Sequence, residues 1–338
     1  MAFEKLIGQE DVKMRLSAAV ESGMLSHAYI FSGPDGIGKM TFALEFAGLA
    51  MCGAPVNGRK CGRCRACQLG ESGNNVDLRI IAPEEKKTQI GVEAVRAGIC
   101  DEVFKAPVFS RKKVFIVDRA DKMSEAAQNA LLKTFEEPPA YTLIILLCDS
   151  VLPLLETVRS RAVGIEFRRN TDDEIIRKYR ELREESARHG ESLPEIDTSL
   201  LCSYADGIMG RVGELCADGG ELIRARGELV ARLADLYAGK NGAKAAVASI
   251  IDVKNKNYDF AFFSMMSFTR DAMLLARFGS KTEIMNPDLK EQLSAIARDT
   301  GYYRLKNALA EIDGCYRNLA RNAMPELATD NMLIRIAG

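Results

Sequence analysis

The chain has 338 residues, 47% hydrophobic and 28% charged, and its 46 basic and 47 acidic side chains leave a net charge of −1. This is globular composition, long enough for two or three domains, without the basic excess that a strong autonomous nucleic-acid binder carries. The longest apolar run, Leu143 to Cys148, is too short to cross a bilayer, and Met1 to Lys5 lacks a signal peptide's apolar core, so a cytoplasmic location without membrane contact is expected.

The first strong pattern begins at His27-Ala28-Tyr29-Ile30-Phe31, an aromatic and β-branched run that predicts a buried strand. Gly33-Pro34-Asp35-Gly36-Ile37-Gly38-Lys39 follows, and then Phe42, Leu44, Phe46, Ala47 and Ala50 predict a mostly buried helix. Strand, glycine loop and helix are the setting of a phosphate-binding P-loop. Gly33, Gly36 and Gly38 would let backbone N–H groups approach phosphate, and Lys39 would reach the outer phosphates. The hydroxyl that should ligate Mg²⁺ is replaced by Met40, whose thioether suits a hard cation poorly. Thr41 offers a hydroxyl one residue later, about 100° around the helix. The loop is therefore expected to hold ATP or ADP, through these residues, without turning it over.

Nine cysteines in such a chain are expected to be reduced, metal-bound or buried. Cys52, Cys61, Cys64 and Cys67 form a C-x8-C-x2-C-x2-C cluster that can converge on one tetrahedral ion. A structural Zn²⁺ is the favoured reading; an iron–sulfur cluster also uses C-x2-C-x2-C, but its fourth cysteine usually precedes a proline. Arg59, Lys60, Arg63 and Arg65 would offset thiolate charge or simply be solvated. Cys100, Cys148, Cys202, Cys216 and Cys315 read as small core residues.

Further along, Asp77 to Ala82 predicts a strand, Gln89 to Phe104 an amphipathic helix and Val114 to Asp118 a strand whose terminal acid is placed to hold Mg²⁺. Arg119 follows, and a guanidinium cannot act as a base. Ser124 to Glu137 predicts a helix stopped by Pro138-Pro139, Tyr141 to Cys148 a strand, Leu152 to Val158 a short helix and Val163 to Phe167 a last strand. The alternation implies a parallel sheet covered on both faces, an α/β P-loop domain over residues 1–168. From the capped start at Thr171 the chain reads as helices, with a turn signal at Asp218-Gly219-Gly220 and long helices at Tyr258 to Arg277 and Tyr302 to Arg321. A small helical domain at 169–218 and a larger one at 219–338 are expected, with Phe260, Phe262, Phe263, Met265, Met266 and Phe268 as core or subunit contact.

Asn129-Ala130-Leu131-Leu132-Lys133-Thr134-Phe135-Glu136-Glu137-Pro138-Pro139, with Ser160-Arg161 downstream, resembles the subunits of the bacterial DNA polymerase III clamp loader, a AAA+ family. Leu6-Ile7-Gly8-Gln9, the P-loop segment and the four-cysteine insertion match the same family. The likeness covers the whole first domain, while the helical remainder agrees in layout only. It implies a AAA+ fold with a zinc knuckle, a small helical lid and a helical collar. Motor subunits of the family carry Lys-Thr in the P-loop and Asp-Glu after the third strand. Met40 and Arg119 depart from both, so the chain resembles the delta-prime type, the member that does not drive hydrolysis itself; a gamma/tau-like motor is the alternative.

The resemblance further implies that Arg161 is an arginine finger reaching ATP on a neighbouring subunit. Ala162 replaces the cysteine of the family's Ser-Arg-Cys motif, and Cys148-Asp149 stands where a Thr or Asn sensor is common. A second sensor arginine would be Arg211, one place later than in motor subunits. Lys133 is a further basic candidate on the motif helix. The implied partners are gamma/tau and delta subunits in a hetero-pentamer, with the sliding clamp and primed DNA reached through the complex.

Overall fold

In the computed structural model, the described residues are 3, 6–56, 58–84, 89–193, 195–217, 221–251, 258–320 and 324–337. The turn signal at 218–220, Arg321 and, apart from Phe3, the segment 1–5 lie outside them. The chain divides into two units: residues 1–177 with 207–210, and residues 178–206 with 211–338.

The first unit is built on one five-stranded sheet among the described residues. Its strands are β1 (Ala28–Ser32), β2 (Leu78–Ile81), β3 (Lys113–Val117), β4 (Thr142–Cys148) and β5 (Val163–Glu166), in the order β2-β3-β4-β1-β5. Every pairing is parallel. Strands β3 and β4 are buried along their full length, as continuous apolar runs in a two-sided parallel sheet require. One face packs on α1 (Glu10–Glu21) and α2 (Lys39–Met51) through Leu16, Phe42, Phe46, Phe31 and Phe167. The other packs on α5 (Glu125–Glu136) through Phe115, Ile144, Leu131 and Phe135.

Between these lie α3 (Arg65–Glu71) inside the cysteine insertion, α4 (Val92–Val95) and α6 (Glu156–Arg159). The helix expected from Gln89 starts later because Ile90 is drawn into a bridge with Met123: its N–H donates to the Lys122 carbonyl and its carbonyl accepts from Ser124 N–H. Residues Arg96–Cys100 then continue α4 as a π turn, and turns follow. The short helix expected from Leu152 begins only at Glu156, since Leu152 to Leu155 run as turn and loop.

The end of the first unit leads through α7 (Asp172–Arg188) into the second, with α8 (Thr198–Ala205), α9 (Met209–Cys216), α10 (Glu221–Tyr237), α11 (Ala243–Ile250), α12 (Asp259–Phe278), α13 (Lys290–Thr300), α14 (Tyr302–Ala320) and α15 (Pro325–Ala337). Helix α12 is apolar nearly all round and packs against α10, α13 and α14, the expected habit of a central helix. Phe260, Phe262, Met265 and Phe268 are buried there, while Phe263 and Met266 are half-buried. Among the scattered cysteines, Cys148 and Cys315 are core residues; Cys100, Cys202 and Cys216 are half-buried instead, on helical segments that are only partly covered at those positions. A polar knot with a buried centre joins the elements of this unit: the buried Arg226 grips the exposed Asp288 through both guanidinium ends at 2.6 and 3.0 Å and donates to the buried Asn286 at 2.7 Å. Asn286 in turn donates twice to the fully buried Asp271.

Candidate nucleotide and metal sites

Because β1, β3 and β4 are parallel neighbours, their C-terminal ends deliver Gly33, Asp118 and Cys148-Asp149 to one edge of the sheet. The P-loop has the backbone the glycines predict. Gly33 (φ 149°) lies so close to β5's continuation that a Cβ would meet the Phe167 carbonyl oxygen at 2.6 Å. At Gly36 (φ 71°) a Cβ would press on Ile208, and its carbonyl accepts from Gly210 N–H at 2.9 Å. Gly38 caps α2 in the left-handed region.

The lysine is not free to meet a ligand. Lys39 is 8% exposed, and its Nζ donates to the carbonyls of Gly33 (2.6 Å) and Pro34 (2.9 Å) and to Asp149 Oδ1 (2.8 Å). Gly36 N–H, a donor the loop would turn toward phosphate, is taken by the Asp35 carboxylate at 2.9 Å. Met40 packs against the core, and Thr41 is exposed on the helix surface. The glycine geometry suits a nucleotide, but the cation and a loop N–H are engaged by the chain itself and no hydroxyl takes the Mg²⁺ position.

Asp118 is half-buried at the end of β3, its N–H donating to the Ile81 carbonyl at 2.8 Å, and Arg119 is exposed in a left-handed conformation. Asp121, three residues on, is nine-tenths buried with one carboxylate oxygen unbonded. Burial pushes the Cys148 thiol up to about 12; the Asp121 charge adds to this and Lys39 opposes it. Arg211 donates to the Tyr204 carbonyl at 3.1 Å and lies over that residue's ring, contacts within the helical unit.

Arg161 stands elsewhere. It precedes β5, whose Val163 pairs with Tyr29 near the start of β1, so it lies at the N-terminal edge of the sheet. Gly33 follows the other end of β1, and the four steps along the strand from Tyr29 to Gly33 put the two edges about 13 Å apart. Arg161 donates to Glu136 Oε1 (2.9 Å) and to the Thr157 carbonyl (3.1 Å). The motif helix α5 is fastened to the segment before α6 by Gln128, 2% exposed, which donates to the Met123 and Pro153 carbonyls and accepts from Leu155 N–H. Lys133 is exposed on α5. Neither Glu136 nor Gln128 was singled out by sequence reasoning, although both belong to or border the eleven-residue motif; Asp35 lay inside the P-loop unnoticed.

The four clustered cysteines converge. Cys52 follows α2, Cys61 and Cys64 lie in the turn beyond, and Cys67 is in the first turn of α3. Their sulfurs all lie within 4.8 Å of one another, which fits a tetrahedron whose 2.3 Å bonds give edges of about 3.8 Å. Backbone N–H groups aim at the sulfurs: Cys61 N at Cys52 Sγ, Cys64 N at Cys61 Sγ and Gly53 N at Cys64 Sγ. The N–H groups of Arg63 and Cys64 hold the Cys61 thiol down to about 6. Of the surrounding cations, Lys60 pairs with Glu45 and Arg65 lies over the Phe109 ring.

Among the described residues no helix is long and apolar enough to cross a membrane. Residues 8–171 match the family model described as "DNA polymerase III, delta subunit". The chain is 36% identical to DNA polymerase III subunit gamma/tau of Mycobacterium tuberculosis over 167 residues, 49% of this chain and 28% of that protein. It is 37% identical to DNA polymerase III subunit delta' of Pseudomonas aeruginosa over 138 residues, 41% of this chain and 42% of that protein. A gamma-subunit-related protein of Thermotoga maritima overlays 96% of this chain and 98% of its own, with a TM-score of 0.44 and 17% identity. The chain thus spans less than half the length of these curated relatives, and its homologues are DNA polymerase III subunits of both the gamma/tau and delta' kinds.

Proposed function

We propose that the chain is a non-motor, delta-prime-type subunit of the bacterial DNA polymerase III clamp loader, which supports ATP-dependent loading of the sliding clamp onto primed DNA. The observation that carries this reading is the placement of Arg161 at the opposite edge of the sheet from its own P-loop. A guanidinium there can serve ATP only on another subunit. Met40 and Arg119 favour this over a gamma/tau-like motor, because the Mg²⁺ hydroxyl and the water-activating carboxylate are both missing. On this reading residues 169–218 form a lid and 219–338 a collar that joins gamma/tau and delta subunits in a pentamer. The four cysteines hold a structural Zn²⁺.

ATP turnover by the reconstituted complex with clamp and primed DNA tests the proposal. Arg161→Ala should lower turnover at the neighbouring motor site by about 10³-fold or more, with assembly unchanged by gel filtration. Glu136→Gln, which loosens a partly exposed ion pair, should leave assembly and stability intact. Turnover by the isolated chain that disappears with Lys39→Ala would establish the motor reading instead.

A further inference from the structure

We infer that Asp149, assisted by Asp35, is a built-in anion that occupies the P-loop in place of a phosphate and so sets this chain's affinity for nucleoside di- and triphosphates. The inference rests on reading residues 33–39 as a P-loop within the proposed subunit. A phosphate is held in such a loop by the lysine charge and by backbone N–H groups. An ammonium has three protons. All three of Lys39's are directed to acceptors within 3 Å, two loop carbonyls and one carboxylate. The charge of Lys39 is therefore neutralised by Asp149, and its donors are saturated.

Asp149 reaches the lysine because its strand, β4, lies beside β1: Ser32 pairs with Cys148, and Gly33 N–H donates to the Cys148 carbonyl at 3.2 Å. This register places the first residue beyond β4 next to the loop. Asp35 makes the same kind of contact from inside the loop, taking the Gly36 N–H. An incoming polyphosphate must displace one carboxylate from Lys39 and the other from Gly36, and is then left beside both negative charges. The Asp149 side chain is 57% exposed and fills no core space, so its charge is separable from the fold.

Titrating the full-length chain with a fluorescent N-methylanthraniloyl-ADP, with Mg²⁺ present and anisotropy as readout, tests this. Asp149→Ala should bind about tenfold tighter than the unaltered chain, the factor that about 1.4 kcal/mol represents. Asp35→Ala in addition should tighten it further, and Lys39→Ala in the Asp149→Ala background should abolish the gain. Thermal melts would verify that each variant folds. Affinities of the Asp149→Ala and unaltered chains within about twofold of each other, whether both bind or neither does, would overturn the proposal. So would a gain that survives Lys39→Ala. None of these results bears on whether Arg161 is needed for turnover in the complex, so the latch and the subunit assignment fail separately.

Discussion

Replacing Asp77 should detach a loop from the first unit at a cost that the geometry sets. Asp77 is 1% exposed, and its carboxylate accepts the backbone N–H groups of Val108 (2.7 Å), Phe109 (2.8 Å) and Ser110 (3.0 Å). Asn75 braces the same corner, accepting from Asp77 N–H and donating to the Ala66 carbonyl beside Cys67. Hydrogen bonds to a charged group are worth about 1.5–3 kcal/mol each. Three would exceed what single substitutions normally cost, and water can reach part-buried donors once the carboxylate is gone. Asp77→Ala should therefore cost about 4 kcal/mol. Asp77→Asn retains one acceptor oxygen but turns an amino group toward a donor, and should cost about 2 kcal/mol. Urea unfolding followed by circular dichroism at saturating zinc would report these as shifts in midpoint at unchanged slope, with loss of amide exchange protection at residues 108–110. A cost below about 1 kcal/mol for Asp77→Ala, with protection retained, would refute the reasoning.

Two other expectations concern the acid limb and the metal. Arg226 beside Asp288 holds its carboxyl below the ordinary 3.8; a depressed folded-state pKa gives stability that is present above that value and lost as pH falls through the lower one. Asp288→Asn should then flatten the loss of stability below about pH 4, and an unchanged acid limb would show that the pair is uncoupled from folding. The purified chain should carry one zinc per molecule by metal analysis. Cys61→Ser should lose the zinc and lower the melting temperature, whereas Cys100→Ser should do neither; full zinc retention in Cys61→Ser would exclude it as a ligand.

The parts of this architecture that were legible in the sequence rest on local pattern. The apolar runs within 114–118 and 141–148 predicted strands and are buried strands, and the proline pair at 138–139 stopped α5 where expected. The cysteine spacing led to four convergent sulfurs because two-residue intervals in a turn leave few other directions. What escaped depends on residues far apart in the chain. Lys39 and Asp149 are 110 positions apart and meet only through the register of β1 on β4. Asp77 meets its loop across 31 to 33 positions, and Glu136 meets Arg161 across 25. The helix expected at Gln89 yielded its first turn to a bridge with Met123 that no periodicity announces.

The residues on which the proposed non-motor reading turns lie beyond the strand ends: Met40 on the first turn of α2, Arg119 after β3 and Asp149 after β4. The apolar strands beneath them, with Ile116, Val117, Ile145 and Leu146 wholly buried, carry the stability of the sheet. Such a layout lets mutation erase or restore enzymatic chemistry at the rim while selection on foldability leaves the interior alone. A lineage can thus drift between engine and scaffold through a few changes just beyond its strands, and similarity summed over the whole domain is a poor guide to which of the two a given descendant has become.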